Sequence, residues 1–311
     1  MLSFRWIVAL ALVAVGVVFT AVWFSSIRNE RRRSGADASL RPSKFETAIG
    51  FVTNFFDTLG IGSFAPTTSL FKLKHVVRDE RMPGTLNVGH TPPVIVQAVI
   101  YIAIITIDPL TLVALIGAAV LGAWLGAGVV AGWPRRRIQI GMGAALLLAA
   151  GFFVMTNVGL FPSGGDALTL RGAALGVGVL GNFVLGALMT LGIGLYAPCM
   201  ILISLLGMSP ITAFPIMMGS CAFLMPVGSV RFIRAGSYSL RPALGLALGG
   251  VPAVLLAAYI VKSLPLLALR WLVTGVVLYT AIAMLRSAYV ESKCPAVPEA
   301  LTGGKAAESA G

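Results

Sequence analysis

Long apolar segments separated by short polar ones run along the whole chain. An apolar stretch at 6–24 is followed by a polar linker, 26–44, and then by eight segments: 45–73, 83–107, 110–132, 138–160, 172–206, 210–230, 242–262 and 266–287. Several exceed the roughly 20 residues that a helix needs to cross the hydrocarbon layer. The pattern predicts an all-α polytopic membrane protein. Its first segment is predicted to be an uncleaved transmembrane anchor, because the arginines follow it, from Arg28 onward.

Two parts of the chain repeat one another. Residues 58–66, TLGIGSFAP, match residues 190–198, TLGIGLYAP, at seven of nine positions with an offset of 132. Prolines continue the match at offsets of 131 to 133: Pro83 with Pro215, Pro93 with Pro226, and Pro134 with Pro265. Internal duplication is typical of membrane transporters. The repeat predicts half A at 45–160 and half B at 172–290, joined by a loop, 161–171, preceded by an anchor and basic linker, 1–44, and followed by a disordered tail, 291–311.

Basic residues discriminate between two topologies. If each broken segment, 45–73 and 172–206, returns to the side from which it entered, all 23 lysines and arginines fall on one side except Arg5, Arg171, Lys262 and Arg270. If both segments cross, that bias almost disappears. Because cytoplasmic loops carry an excess of Lys and Arg, we predict two re-entrant hairpins, seven crossings instead of nine, and a cell inner (plasma) membrane location. Three crossings per half then make the halves inverted repeats.

Each break combines two glycines with a proline: Gly60, Gly62 and Pro66 in half A, and Gly192, Gly194 and Pro198 in half B. The glycines can adopt backbone conformations that other residues avoid. The prolines are expected at the first position of a new half-helix, which would leave the next amides unpaired: Thr67, Thr68, Cys199 and Met200. Unpaired amides and the positive end of a helix dipole form an anion site without a basic residue. The alternative interpretation is glycine-mediated close packing of helices.

Other polar residues near the breaks extend the predicted solute site. Asp57 is an acidic residue deep in apolar sequence, which favours a role in proton coupling or in orienting Thr58; the alternative is a cap at a helix end. His90 is either a solute contact that titrates near neutral pH when hydrated or a hydrogen-bonded structural residue. The remaining predicted contacts are Ser63, Asn87, Thr190, Tyr196 and Ser220.

Composition and charge exclude several classes of protein. The chain is 58% hydrophobic and 11% charged, against roughly 25% charged residues in soluble domains. Its net charge of +12 comes from clusters between apolar segments, which indicates contact with anionic lipid and no nucleic-acid partner. Three cysteines without a C-x-x-C pair predict neither a disulfide framework nor a metal site. No cofactor is predicted.

The duplicated break followed by proline, in a body of about 250 residues, resembles the TauE/SafE sulfite-exporter family of membrane permeases. The resemblance covers residues 45–290. It implies a permease that moves sulfite, a sulfonate or another small organic anion without ATP hydrolysis. The commoner family pattern has a run of glycines at the break, where this chain has Ser63-Phe64 and Leu195-Tyr196.

Three alternatives remain beside an anion permease: a transporter of a different small solute, a membrane enzyme and a scaffold. An intramembrane zinc protease needs H-E-x-x-H and a rhomboid-like protease needs G-x-S-G, and both motifs are missing, as is a P-loop. A scaffold would not need two matched helix breaks. We therefore predict a secondary transporter and no enzymatic activity.

Overall fold

The structure, a computed structural model, describes residues 2–34, 41–160, 164–192, 194–260 and 266–293. These residues form eleven α-helices and no β-strand: α1 (Leu2–Ser34), α2 (Lys44–Thr58), α3 (Phe64–Leu73), α4 (Met82–Ile104), α5 (Pro109–Val130), α6 (Arg135–Asn157), α7 (Gly172–Met189), α8 (Tyr196–Leu205), α9 (Pro210–Arg234), α10 (Leu240–Ile260) and α11 (Leu266–Lys293). A short 3₁₀ turn, Asp79–Arg81, precedes α4. Half A thus comprises α2 to α6, and half B comprises α7 to α11.

Seven helices of the described chain are long and apolar enough to cross a membrane, namely α1, α4, α5, α6, α7, α9 and α10. The chain is therefore a multi-pass membrane protein by helix length and composition. The prediction also counts seven crossings, with two differences: it includes 266–287, which lies within the 28 residues of α11, and it assigns α7, whose 18 residues reach about 27 Å, to a re-entrant hairpin.

Two helices continue into the segments predicted as the polar linker and the tail. α1 continues through the first part of the linker, 26–44, to Ser34. α11 continues through the first three residues of the tail, 291–311, to Lys293. Both extensions contain mainly Arg, Glu, Lys and Ser, which tolerate a helix once the preceding turns have formed. The rest of the predicted tail, 294–311, lies outside the described residues.

Contacts along the helices define their relative directions. α2 and α4 both run parallel to α10, since contacts advance together along each pair: Glu46–Arg241 and Asn54–Gly250 for α2, Thr85–Ser239 and Pro93–Gly250 for α4. α7 and α9 both run parallel to α5, with the equivalent pairs Asn182–Leu115 and Thr190–Gly126 for α7, and Gly219–Ile116 and Arg231–Gly128 for α9. The first helix of each half therefore packs on the fourth helix of the other half: α2 on α10, and α7 on α5.

The remaining major contacts between the halves are antiparallel. α4 and α9 cross with Thr91 beside Ser229 and Ile102 beside Gly219. α6 and α11 pair Gly143 with Leu285 and Asn157 with Thr274. Each of these two pairs joins helices that hold the same place in the two halves.

One end of the bundle, here called the basic end, gathers the connections 41–43, 74–81, 131–134 and 235–239. The start of α2 and the chain after α3 line a common groove there with the start of α10, represented by Glu46, Val76 and Arg241. Asp79 joins the end of α3 to α6, because its carboxylate accepts from Lys72 at 2.7 Å and from the Gln139 amide at 2.9 Å. The chain therefore enters α2 and leaves α3 at the same end.

The opposite end of the bundle holds the connections 105–108, 164–171 and 206–209. Here the N–H of Gly165 donates to the carbonyl of Met208, which brings the approach to α7 beside the chain after α8. Asp108 caps α5 by accepting from the N–H of Thr111 at 3.0 Å. That backbone hydrogen bond, more than the nearby Arg171, lowers the pKa of Asp108.

The anchor helix α1 packs on α9 and α4. Phe19 and Trp23 belong to a separate apolar cluster with Val88 of α4, Ile233 of α9 and Ala243 of α10. At the basic end, the hydroxyls of Ser26 and Tyr238 lie 3.3 Å apart. α1 thus contacts both halves, and none of its residues lies between the two breaks.

Candidate functional site

The two helix breaks adopt the backbone that their glycines predict. α2 ends at Thr58 and α3 begins at Phe64; between them Gly60 and Gly62 have φ of +87° and +88°. In half B, Gly192 has φ of +92°. These values lie in the left-handed region, where a Cβ atom is disfavoured. The prediction is confirmed for these three glycines. Gly194, the fourth, is not among the glycines with a left-handed φ; it follows Ile193, which lies outside the described residues.

The predicted position of the prolines was wrong. Pro66 and Pro198 occupy the third position of α3 and α8 instead of the first, because both helices begin two residues earlier. Proline is tolerated throughout the first turn, where no N–H has an intrahelical partner. The amides predicted to be free are consequently paired: Thr67 N–H donates to the carbonyl of Ser63 and Cys199 N–H to that of Leu195, both at 3.0 Å.

Unpaired amides do occur at the two helix starts, three residues earlier in the sequence. In the described part of the chain, the N–H groups of Phe64, Ala65 and Tyr196 form no backbone hydrogen bond. These residues form the first turns of α3 and α8, where the positive ends of the helix dipoles lie. Each break therefore offers backbone donors, although not those of the predicted residues.

The two breaks meet around one small cavity, here called the central cavity. Residues of both halves line it: Asp57, Gly62, Ser63, Phe64, Val94, Met189, Gly194, Leu195, Tyr196 and Cys221. The two breaks, 132 residues apart in the sequence, therefore lie next to one another in the fold. The cavity measures about 10 Å³, room for about one water molecule. No lysine, arginine or histidine is among its lining residues.

A polar network crosses the central cavity from half A to half B. The hydroxyl of Tyr196 lies 3.2 Å from Oδ2 of Asp57 and 2.7 Å from Oε1 of Gln97. The hydroxyl and the backbone N–H of Ser63 also approach the Asp57 carboxylate. Asp57 thus touches the start of α3, as the cap interpretation predicts. It also touches the other break, which that interpretation does not explain.

His90, on α4, lies outside the central cavity and forms hydrogen bonds with α2 and α3, the helices on either side of the first break. Its Nδ1 is 3.0 Å from Oδ1 of Asn54, and its Nε2 is 3.1 Å from the hydroxyl of Thr67. Since the amide nitrogen of Asn54 already donates to Gly50, the Asn54 oxygen accepts from Nδ1–H, and Nε2 accepts from Thr67. Both nitrogens of a neutral imidazole are therefore used, which favours the structural interpretation of His90.

Replacing Thr67 by valine should destabilise the protein, because it leaves the buried Nε2 of His90 without a donor. We expect a loss of about 1–3 kcal/mol, measured as a lower midpoint of thermal unfolding for the detergent-purified protein. Thr53→Val is the matched control, since that buried hydroxyl donates only to the carbonyl one turn earlier, of Ile49. Equal midpoints for the two variants would contradict the assigned role of His90.

Several other predicted contacts are turned away from the central cavity by bonds to their own helices. Thr58 and Thr190 donate to the carbonyls of Asn54 and Ala187, and the amide of Asn87 donates to Pro83. Hydroxyl and amide side chains near helix backbones often bond to the carbonyl three or four residues earlier. Thr58 and Thr190 thereby stabilise the ends of α2 and α7 beside the breaks, and Asn87 stabilises the first turns of α4. None of the three lines the cavity.

The remaining predicted contacts are buried nearby without lining the central cavity. Ser220 accepts from the amide of Asn182 at 3.0 Å, and Cys199 belongs to the apolar core. The hydroxyl of Thr68 is buried without a hydrogen-bond partner among the described residues. Gly60 and Gly192 shape the breaks, with Phe214 and Met142 as their nearest neighbours.

Gln97 is the polar residue that sequence reasoning missed. It lies in the apolar second half of α4, fully buried, and an amide in such a position is a signal that could have identified it. Val94, Met189 and Leu195 also line the cavity. Nothing distinguishes these three from other apolar residues of their segments, so only the packing reveals them.

Similarity to known proteins adds no information about the central cavity. No family model matches the chain, and no curated protein and no solved structure is significantly similar to it. Family membership of residues 45–290 therefore stays a prediction, and inference about function starts from the geometry of the two breaks.

Proposed function

We propose that the protein is a secondary permease for a small anion, built from two inverted repeats that each combine a re-entrant hairpin with three transmembrane helices. The observation that carries the proposal is the meeting of the two helix breaks at the central cavity. Non-helical backbone at membrane depth is tolerated only within protein or beside a polar cavity. In transporters with inverted repeats, solute sites lie where such broken helices meet.

The helix directions support inverted repeats. α4 runs antiparallel to its equivalent α9, and α6 runs antiparallel to its equivalent α11. Because α2 and α10 run in the direction of α4, while α7 and α5 run in the direction of α9, α2 is also antiparallel to α7 and α5 to α10. A two-fold axis in the membrane plane relates helices in this way. Such an axis would pass between the two breaks.

The connections at the basic end support re-entrant hairpins. α2 begins and α3 ends at that end, and the clusters around Arg81, Arg135 and Arg241 gather there. Under the positive-inside rule this end faces the cytoplasm. The orientation fits an inner-membrane permease whose anchor helix α1 ends on the cytoplasmic side.

An anion is the solute class that the helix starts favour. The free N–H groups of Phe64, Ala65 and Tyr196 lie at positive dipole ends, where each helix start stabilises a negative charge by about 0.3–1 kcal/mol at exposed sites and more when partly buried. The resemblance to TauE/SafE permeases suggests sulfite or a short sulfonate. Because the cavity of about 10 Å³ is too small for either, transport requires the breaks to separate.

Uptake by proteoliposomes tests the proposal. We expect purified protein to move sulfite or a short alkanesulfonate down its gradient, and to move neutral and cationic solutes of equal size no faster than protein-free liposomes. The panel should include acetate, to separate sulfur oxyanions from carboxylates. Selective movement of neutral or cationic solutes would contradict the assignment of the helix starts, and would favour a transporter of another small solute.

A further inference from the structure

The central cavity holds a carboxyl group as well as the backbone donors of the proposed anion site. Asp57 is buried and lies at the cavity beside Gly62, Phe64 and Tyr196. A carboxylate and an oxyanion within a few ångströms of one another repel strongly where the surroundings exclude water. An anion in this cavity therefore requires a neutral Asp57. This inference rests on the proposed permease function.

The groups that face Asp57 provide no positive charge. The titratable ones are the hydroxyls of Tyr101 on α4 and Tyr196 on α8, and the thiol of Cys221 on α9. The other polar neighbours are Ser63 at the start of α3 and Gln97 on α4, which approaches Asp57 directly as well as through Tyr196. On α10, which packs along α2, Arg241 pairs with Glu46 at the basic end instead. Within the described ranges no basic side chain forms an ion pair with Asp57.

The hydrogen bonds of the network can accommodate either charge state of Asp57. The Tyr196 hydroxyl has one proton and two acceptors within reach, at 2.7 Å on Gln97 and 3.2 Å on Asp57. If Tyr196 donates to Gln97, Asp57 satisfies the remaining lone pair of Tyr196 by donating a proton of its own, and is neutral. If the Gln97 amide is turned, its nitrogen donates to Tyr196, and Tyr196 donates to a charged Asp57.

The orientation of the Gln97 amide is the feature that distinguishes these two states. In the present orientation its nitrogen is buried without a partner among the described residues. The oxygen and nitrogen of an amide have the same shape, so hydrogen bonding alone decides between the two orientations. Turning the amide would pair the nitrogen while leaving the oxygen free. The same three side chains can thus bind and release one proton without a change in packing.

We propose that Asp57 takes up one proton when the anion enters the central cavity and releases it when the anion leaves, so that each anion is transported with one proton. The pair carries no net charge through the membrane. Tyr196 and Gln97 act as positioning residues that hold the carboxyl group in either state. Anion accumulation is then driven by a pH gradient and is unaffected by membrane potential.

Accumulation of ethanesulfonate in proteoliposomes tests the coupling, since this anion stays fully ionised between pH 5.5 and 8 and pH acts only on the protein. With one proton per anion, an outside pH one unit lower should concentrate ethanesulfonate about tenfold inside, whatever the orientation of the protein. A potassium diffusion potential should leave the ratio unchanged. Asp57→Asn, which is permanently neutral, should equilibrate ethanesulfonate without concentrating it. Asp108→Asn, at the opposite end of the bundle, should concentrate it like the unaltered protein.

Different failures have different meanings. If ethanesulfonate or sulfite equilibrates but a pH gradient does not concentrate it, or if a sodium gradient does so instead, the coupling is wrong and the permease stands. The coupling is also wrong if Asp57→Asn concentrates the anion. If no anion of the panel enters under any gradient, the proposed function itself fails and the coupling fails with it.

A measurement on the unaltered protein covers the case in which Asp57→Asn does not fold. Infrared difference spectra should show that ethanesulfonate increases the carbonyl band of a protonated carboxylic acid at neutral pH. The increase should need the anion, and an equal concentration of a neutral sulfone should not produce it. An unchanged or weaker carboxylic acid band on addition of ethanesulfonate would overturn the proposal.

Discussion

Replacing Gly62 by valine is expected to abolish anion transport while the helices stay folded. Gly62 has φ of +88°, and an added Cβ would meet no atom within 4 Å. The Cβ atom itself meets no obstacle, but forcing a side chain into this backbone conformation costs about 1–3 kcal/mol. Relief of that strain would shift Ser63 and the free amide of Phe64, and a misplacement of about 1 Å can reduce a rate about 100-fold. The methyl groups of valine would also project at the central cavity, which Gly62 lines.

Initial rates of uptake in proteoliposomes, at matched protein content, measure this effect. Gly117→Val is the matched control, because Gly117 lies on the exposed side of α5 and a Cβ there also meets no atom within 4 Å. The control should transport at the rate of the unaltered protein. Comparable rates for Gly62→Val and Gly117→Val would show that the left-handed backbone of the break is dispensable.

Replacing Gly249 by alanine is expected to destabilise the whole bundle. Gly249 lies on α10 at its closest approach to α2, and an added Cβ would collide with the carbonyl oxygen of Thr47 and approach the amide nitrogen of Phe51. Backbone atoms cannot move aside as side chains do, so α2 would have to separate from α10. Overpacking of this kind costs about 1–3 kcal/mol or more. Asp57, which lies near the end of α2, would be displaced from the central cavity.

Thermal unfolding in detergent, followed by size-exclusion fluorescence, measures the loss. Gly176→Ala is the control: Gly176 lies on the exposed face of α7, where a Cβ meets no atom within 4 Å. Alanine favours a helix over glycine by about 1 kcal/mol, so this control should leave the midpoint unchanged or raise it. A Gly249→Ala protein as stable as the control would mean that α2 and α10 do not pack as closely as described.

Local sequence determined the helices and the breaks. Apolar length and polar interruptions define the segments to within a few residues, except where α1 and α11 continue through polar residues. The repeat of TLGIG located both breaks, and Gly60, Gly62 and Gly192 adopt the left-handed backbone that glycine favours. These features depend on residues close together in the chain, which is why a sequence reveals them.

Tertiary structure alone decided which side chains meet at the central cavity. Asp57 and Tyr196 are 139 residues apart and touch because the two breaks pack together, while Gln97 joins them from α4. Thr67 was predicted to contact the anion because it has a hydroxyl donor beside the break, but the packing of α4 pairs that hydroxyl with His90. The helices α3 and α8 also begin two residues before the positions that their prolines suggested. Each of these outcomes depends on contacts between distant segments, and neither local propensity nor periodicity contains that information.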